Sequence, residues 1–231
     1  MAFQAKDVMG SASTILQDAG TIRWTPPELL SYLNEGVREI VAVKPNAASQ
    51  TVNMTLAAGP KQTLEATHTV LSRAVRNVVS GKTIRVLDRR EILDNMIPGW
   101  MNTANLTYAL DVVYIIHDMT DPRTFYVAPG ALVTSSIEIV VGVMPAVIAQ
   151  GTSVLDTSTY TGAVGLPDLY RNCLVDYVLY RSFAKDAGIP GAAQRAVSHK
   201  GLFDAALASI ANGENAMSLA SYAQRGPGSG Q

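Results

Sequence analysis

Ser80-Gly81-Lys82-Thr83 is the run whose residue types and spacing come nearest to chemistry. A phosphate-binding loop closes on such residues: its backbone amides cradle the phosphates, while Lys and Thr reach phosphate and magnesium. The rest of that pattern is missing. The position five residues before Gly81, where the motif needs glycine, is Arg76. After Thr83, Ile84-Arg85-Val86 has strand character where a helix N-terminus is required. No nucleotide site is expected there. His68, His117 and His199 stand far apart, none with a second His or Cys at ligand spacing, so no metal centre is expected. His117-Asp118 is an acid–base pair by type, but it closes a strand-like run before a turn, where a solvated polar pair is the ordinary arrangement. The sequence holds no Gly-x-Ser-x-Gly elbow and no Gly-x-Gly-x-x-Gly fingerprint. Cys173, the single cysteine, sits among Leu169, Leu174, Tyr177 and Val178 and reads as a small buried hydrophobe. Catalytic residues, cofactor and metal are therefore all expected to be absent. Scattered carboxylates that converge only in the fold lie beyond what a sequence tests.

One charge bias is local. Residues 61 to 90 hold Lys61, Arg73, Arg76, Lys82, Arg85, Arg89 and Arg90 against Glu65 and Asp88, whereas the whole chain carries a net charge of -1. A cationic face built from Arg73, Arg76, Lys82, Arg85, Arg89 and Arg90 suits DNA phosphates or an acidic subunit surface. Strand charges turned to solvent are the bland alternative. The global balance gives no case for an anionic membrane or a polyacid.

Composition points the same way. Charged residues make up 16% of the chain and hydrophobic residues 48%. Soluble domains usually carry about 25% charge. Much of the polar surface must then be Ser, Thr, Asn and Gln, which suits contact with other subunits. Met1 to Gly10 lacks the apolar stretch of a signal peptide, so a cytoplasmic start is expected. Ala131 to Ala149 is interrupted by Ser135, Ser136, Glu138, Gly142 and Pro145 and cannot supply a membrane span. Without secretion the triplets Asn53-Met54-Thr55 and Asn105-Leu106-Thr107 carry no glycosylation meaning.

The elements that must position these residues follow from periodicity. Val8, Met9, Ala12, Ile15 and Leu16 predict a helix over Lys6 to Asp18, with Gly20 as its stop. Thr25-Pro26-Pro27-Glu28 predicts a capping box at the head of a second helix, with Leu29, Leu33, Val37, Ile40 and Val41 on its apolar face and Pro45 ending it. From Thr51 the period becomes two, and Gly59-Pro60 reads as a turn. Val70 to Val79, Thr83 to Val86, Val112 to His117, Thr124 to Val127 and Ile137 to Val143 predict further strands. A short helix capped by Asp88, with Glu91 as its N3 partner, runs to Pro98-Gly99. Asp121-Pro122-Arg123 is the turn of a hairpin. After Gly151 to Gly165 the helical pattern returns at Leu166-Pro167-Asp168, stops at Gly188, and resumes from Ala192 to Ala211. The expected fold class is α+β: a single domain, 1–211, in which N- and C-terminal helices (5–44 and 166–211) form a bundle around a β-rich insertion at 50–150. Residues 212–231 read as a flexible tail with no core-forming residues.

Several segments in order carry a resemblance. They are Arg23-Trp24-Thr25 before Glu28-Leu29-Leu30-Ser31-Tyr32-Leu33-Asn34-Glu35; Arg85-Val86-Leu87-Asp88-Arg89-Arg90; Asp121-Pro122-Arg123-Thr124-Phe125-Tyr126-Val127; and Leu166-Pro167-Asp168-Leu169-Tyr170 leading into Asp176-Tyr177-Val178-Leu179-Tyr180-Arg181. Across roughly Leu16 to Ala208 the chain resembles the head-to-tail adaptor (connector) proteins of tailed, podovirus-like bacteriophages. The resemblance implies a non-catalytic virion protein made in the host cytoplasm. It would form a ring, typically of twelve, between the portal protein and a downstream nozzle or tail-tube protein. Genomic DNA would pass through its centre without sequence recognition. A tail completion or stopper subunit that does not touch the portal is the alternative role. In such adaptors the C-terminal segment inserts into the portal. The matching candidates here are Asn212, Glu214, Ser221, Tyr222, Gln224, Arg225, Pro227 and Gln231.

Overall fold

The computed structural model describes residues 3–87, 89–102, 108–117, 120–186 and 188–223, with backbone alone over 214–223. Five α-helices and two β-sheets follow the α+β pattern, helices at both ends and strands between. The chain forms two compact units. One combines the residues up to Lys44 with those from Pro145 on, and the other is continuous from Pro45 to Met144. A proline stands at the first residue after each crossing.

In the helical unit, α1 (Ala5–Ile15) buries Val8, Met9 and Ala12 on one stripe. Asp7 anchors its head by accepting the Gln4 N–H at 2.8 Å. The helix stops short of Asp18, whose carboxylate instead accepts the N–H groups of Ile22, Arg23 and Trp24 at 3.1, 2.9 and 2.9 Å. These bonds, foremost the one from Trp24, hold that carboxyl below the ordinary aspartate range. Helix α2 (Pro26–Val43) begins where the proline pair predicts, but the expected capping box does not form. Thr25 makes no side-chain cap bond, and Glu28 binds the Tyr32 hydroxyl at 2.9 Å and Lys185 Nζ at 2.7 Å. Proline's preset φ at the first positions makes the cap dispensable.

A 3-10 turn, Asp168–Tyr170, leads into α4 (Arg171–Lys185), which buries Cys173, Leu174, Tyr177, Val178 and Phe183. α4 packs on α1, α2 and the last helix, α5 (Ala192–Ala223). Gly36 allows α2 its close approach: a Cβ there would sit 2.9 Å from Tyr177 Cδ1 and 3.0 Å from Leu174 Cδ2. Helix α5 (Ala192–Ala223) buries Ala192, Ala196, Phe203 and Leu207 at steps of four and seven. It runs on past the Ala211 at which the periodicity ends. Among the described residues no helix is long and apolar enough to cross a membrane.

The β unit holds two sheets. In the first, β7 (Ser136–Val143) lies between β1 (Ser49–Thr55) and β3 (His68–Asn77), all antiparallel. In the second the order is β2 (Gly59–Thr63), β6 (Thr124–Ala131), β5 (Tyr114–His117), β4 (Arg85–Leu87), with β4 and β5 parallel. Leu71, Ala74, Ile137, Ile139 and Val141 of the first sheet share one core with Ile115, Phe125 and Val127 of the second. The period of two puts Ile116, Tyr126 and Ala128 on the second sheet's other face. There Leu93 of α3 (Arg90–Met96) and Trp100 cover them, with the Trp100 ring edge-on to Tyr126 at 5.8 Å. The hairpin turn is as expected: Asp121 carboxylate oxygens accept the Arg123 N–H at 3.0 Å and the Thr124 hydroxyl at 2.6 Å.

Two further details differ from the sequence expectation. Gly59-Pro60 is the start of β2 rather than a turn. Pro60 is tolerated because β2 is an edge strand with a register shift between Gly59 and Lys61. The cap of α3 is Arg89 rather than Asp88, and Asp88 lies outside the described residues.

Candidate functional site

The cationic window divides on inspection. Arg73 and Arg76 lie on β3, Lys82 in the following turn, Arg85 on β4, and Arg89 and Arg90 at the head of α3; all six are exposed. Arg76 Nε meets Glu138 at 2.5 Å, Lys82 Nζ meets Asp111 at 2.8 Å, and Arg90 Nε meets Asp94 at 3.5 Å. Arg90 also lies over the Trp100 ring at 5.8 Å. The three carboxylates come from outside the sequence window, so the window overstates the free charge. Among the described residues, Arg73, Arg85 and Arg89 have no ion-pair partner, and they stand on three separate segments.

Lys82 is held in a way that bears on the phosphate-loop imitation. Gly81 takes φ +70°, Lys82 points to Asp111, and Thr83 bridges Arg76 in a β contact before β4 begins. The Lys82 ammonium, as hydrogen-bond partner, holds the Asp111 carboxyl below its usual range. No helix N-terminus follows Thr83, so the backbone donors a phosphate would need are not aligned.

The histidines remain apart. His117 closes β5, and burial lowers its pKa; Asp118 lies outside the described residues. His199 Nδ1 meets Asp176 Oδ1 at 2.9 Å, and its ring stacks on Phe183 at 5.6 Å, which ties α5 to α4. That pairing was invisible in sequence because its partners are 23 residues apart. Among the described residues no cluster of three or more His, Cys, Asp or Glu side chains is placed to hold a metal ion. Cys173 is buried, and burial raises its thiol pKa, which keeps it unreactive.

A pocket of about 270 Å³ in the helical unit is a feature that spacing did not announce. Trp24, Phe183, Ile189 and Pro190 wall it, and Arg23 and Arg195 rim it. Arg23 Nε holds Asp186 at 2.8 Å and lies over the Trp24 ring, while Arg195 lies over Phe183. With both guanidiniums over aromatic rings and Asp186, the carboxylate of the lining, already paired with Arg23, this arrangement suits packing and recognition.

The C-terminal candidates are ordered differently from the expected tail. Asn212, Glu214, Ser221 and Tyr222 are all within α5, whereas Gln224, Arg225, Pro227 and Gln231 lie outside the described residues, as does Asn105-Leu106-Thr107. At about 1.5 Å per residue, α5 is about 48 Å long and α4, on which it packs, about 22 Å. The last buried side chain of α5 is Leu207 among the residues whose side chains are described.

Comparison with known proteins bears on this segment. A family model described as SU10 adaptor protein matches residues 3–226. That span continues past Ala208, where the resemblance read from the sequence ends, and takes in the whole of α5. A comparison with curated proteins finds no match.

Proposed function

Because this chain belongs to the SU10 adaptor protein family, a structural phage protein family, we propose that it is the head-to-tail adaptor ring of a podovirus-like virion. The ring joins the portal to the next tail component and forms part of the DNA ejection channel. Twelve copies assemble beneath the portal. The genome passes through their centre without sequence readout, and of the six cationic-face residues Arg73, Arg85 and Arg89, without an ion-pair partner among the described residues, are offered to its phosphates or to an acidic neighbouring subunit.

The observation that carries the reading is α5. Its N-terminal half supplies the buried residues that pack on α4. Its C-terminal half, still inside the family match, adds more than three turns of helix beyond Leu207. Such a helix suits insertion into a partner. The docking element is accordingly a helix rather than an extended tail, with Asn212, Glu214, Ser221 and Tyr222 on it.

Electron microscopy of the protein with the portal from the same genome tests this. The full chain is expected to form portal-bound rings. A chain lacking residues 213–231 is expected to keep its cooperative unfolding transition, to lose no more than the helix signal of residues 213–223, and to lose docking. Unchanged docking of the truncated chain removes residues 213–231 from the portal contact, and a folded full chain that binds only tail proteins favours the stopper role instead.

A further inference from the structure

Among the described residues four strands of the β unit end a sheet, and three of them are guarded in ways that discourage further pairing. β3 carries Arg73 and Arg76 and three register shifts against β7. β2 begins at Gly59-Pro60, carries Lys61 and is bulged. β4 is only three residues long. Charges, prolines, bulges and shortness are the usual means of blunting an edge.

β1 has none of them. Its seven residues pair with β7 in one unbroken register, and no charged residue occurs between Lys44 and Lys61. The flanking bonds fix the phase of the ladder: Val143 donates to the Ala48 carbonyl at 2.7 Å, and Leu56 donates to the Ser135 carbonyl at 2.9 Å. Gln50, Val52 and Met54 therefore bond to β7, while Thr51, Asn53 and Thr55 turn their N–H and C=O groups outward. Thr51, Asn53 and Thr55 are exposed, and among the described residues no strand pairs with β1 on the side away from β7. Val52 and Met54 lean on the sandwich core but stay only partly buried.

We propose that β1 is a self-pairing edge, which joins β1 of a second copy antiparallel about a two-fold axis at Asn53. In that register Asn53 bonds Asn53 of the other copy, and Thr51 bonds Thr55. Val52 and Met54 then face each other across the new seam on the core side and complete each other's burial. No charge is opposed. Pairing stops at two copies, because the resulting six-stranded sheet ends in β3 on both sides. Copies in a polar ring share one direction, so a two-fold pair is a contact of the free protein before assembly; the inference goes beyond the adaptor reading and is measured without the portal. A single strand pair buries far less than the roughly 1,200 Å² of a stable specific interface, so the pair is transient and best caught covalently.

Asn53→Cys supplies the trap, since the only native cysteine is buried. Strand partners at a hydrogen-bonded pair are about 5.5 Å apart at Cα, within disulfide reach. Under diamide, Asn53→Cys is expected to form a disulfide dimer far faster than Ser80→Cys, a control in an exposed turn. In the unmodified protein, rising concentration is expected to slow hydrogen exchange at Thr51, Asn53 and Thr55, with Val52 and Met54 protected throughout. Asn53→Pro, which removes only an outward N–H, is expected to keep the fold and abolish the concentration effect; should it misfold, exchange in the unmodified chain decides. Equal trapping of both cysteine variants overturns the proposal. So does protection of these amides that appears only when portal protein is added.

Discussion

Three carboxamides do at the residue scale what strands do at the next. Asn34 pairs with both backbone groups of Ile148 at 3.1 and 2.9 Å. Gln62 does the same with Ala57 at 2.8 Å on each side, adding Gly59 at 3.0 Å. Asn77 donates to the Val112 carbonyl at 2.8 Å and accepts the Val112 N–H at 2.8 Å, while also donating to the Lys82 carbonyl at 3.1 Å. Asn77 and Val112 are both buried, so water cannot replace these bonds. Asn77→Ala is expected to cost about 2–3 kcal/mol, because it strands buried backbone groups as well as removing bonds. Asn77→Asp is expected to be destabilising too, since a carboxylate keeps the acceptor and loses the donor. Urea unfolding of both variants checks this, and a loss under about 0.5 kcal/mol for either would remove Asn77 from that role. None of this was legible beforehand. Asn77 lies within one strand-like run and Val112 opens another 35 residues later, and nothing in composition marks the two as partners. The same distance effect hid the Glu138 and Asp111 partners of Arg76 and Lys82, while Asp94, four residues after Arg90, lies just beyond the window; together they partly neutralise its local excess of charge.

Elements were more legible than residues, for reasons that separate cleanly. α1, α2 and α4 follow their apolar stripes because burial and periodicity agree. β2 escaped notice because Gly59-Pro60-Lys61 has almost no strand propensity, and pairing with β6 supplies what propensity does not. α5 was cut short because Asn212, Gly213, Glu214 and Asn215 interrupt the apolar pattern, yet the alanines and other helix formers after them continue the helix. Gly36 and Gly213 make the contrast testable. Both lie in helices, where Ala is intrinsically better by roughly 0.5–1 kcal/mol. Gly213 has open space around its missing Cβ, so Gly213→Ala is expected to be neutral or stabilising by that amount. Gly36→Ala pushes into Tyr177 and Leu174, and the overpacking cost of about 1–3 kcal/mol outweighs the propensity gain. Thermal denaturation of the two variants should move in opposite directions or leave Gly213→Ala unchanged. Stabilisation by Gly36→Ala would show that α2 and α4 part without penalty.

At the scale of the whole molecule, sequence order and spatial order disagree in one respect that decides how pieces of the chain behave. The β unit is continuous from Pro45 to Met144 and holds its own two cores, one between the sheets and one under α3 and Trp100. The helical unit is split: α1 and α2 come from before the β unit and α4 and α5 from after it, yet α4 packs on both α1 and α2. The sequence gives the helices and the β-rich middle by their change of period. It cannot give their independence, which depends on where buried side chains find partners. A fragment of residues 45–144 is therefore expected to fold alone, with a β-type circular dichroism spectrum and one cooperative urea transition. A fragment of residues 145–231 is expected to stay unfolded, because Leu174, Tyr177 and Val178 lose the α1 and α2 faces that cover them. Mixing it with residues 1–44 is expected to restore helix content in a concentration-dependent way. If residues 45–144 fail to fold, the β unit draws stability from the rest of the chain, and its two cores are too small to stand by themselves.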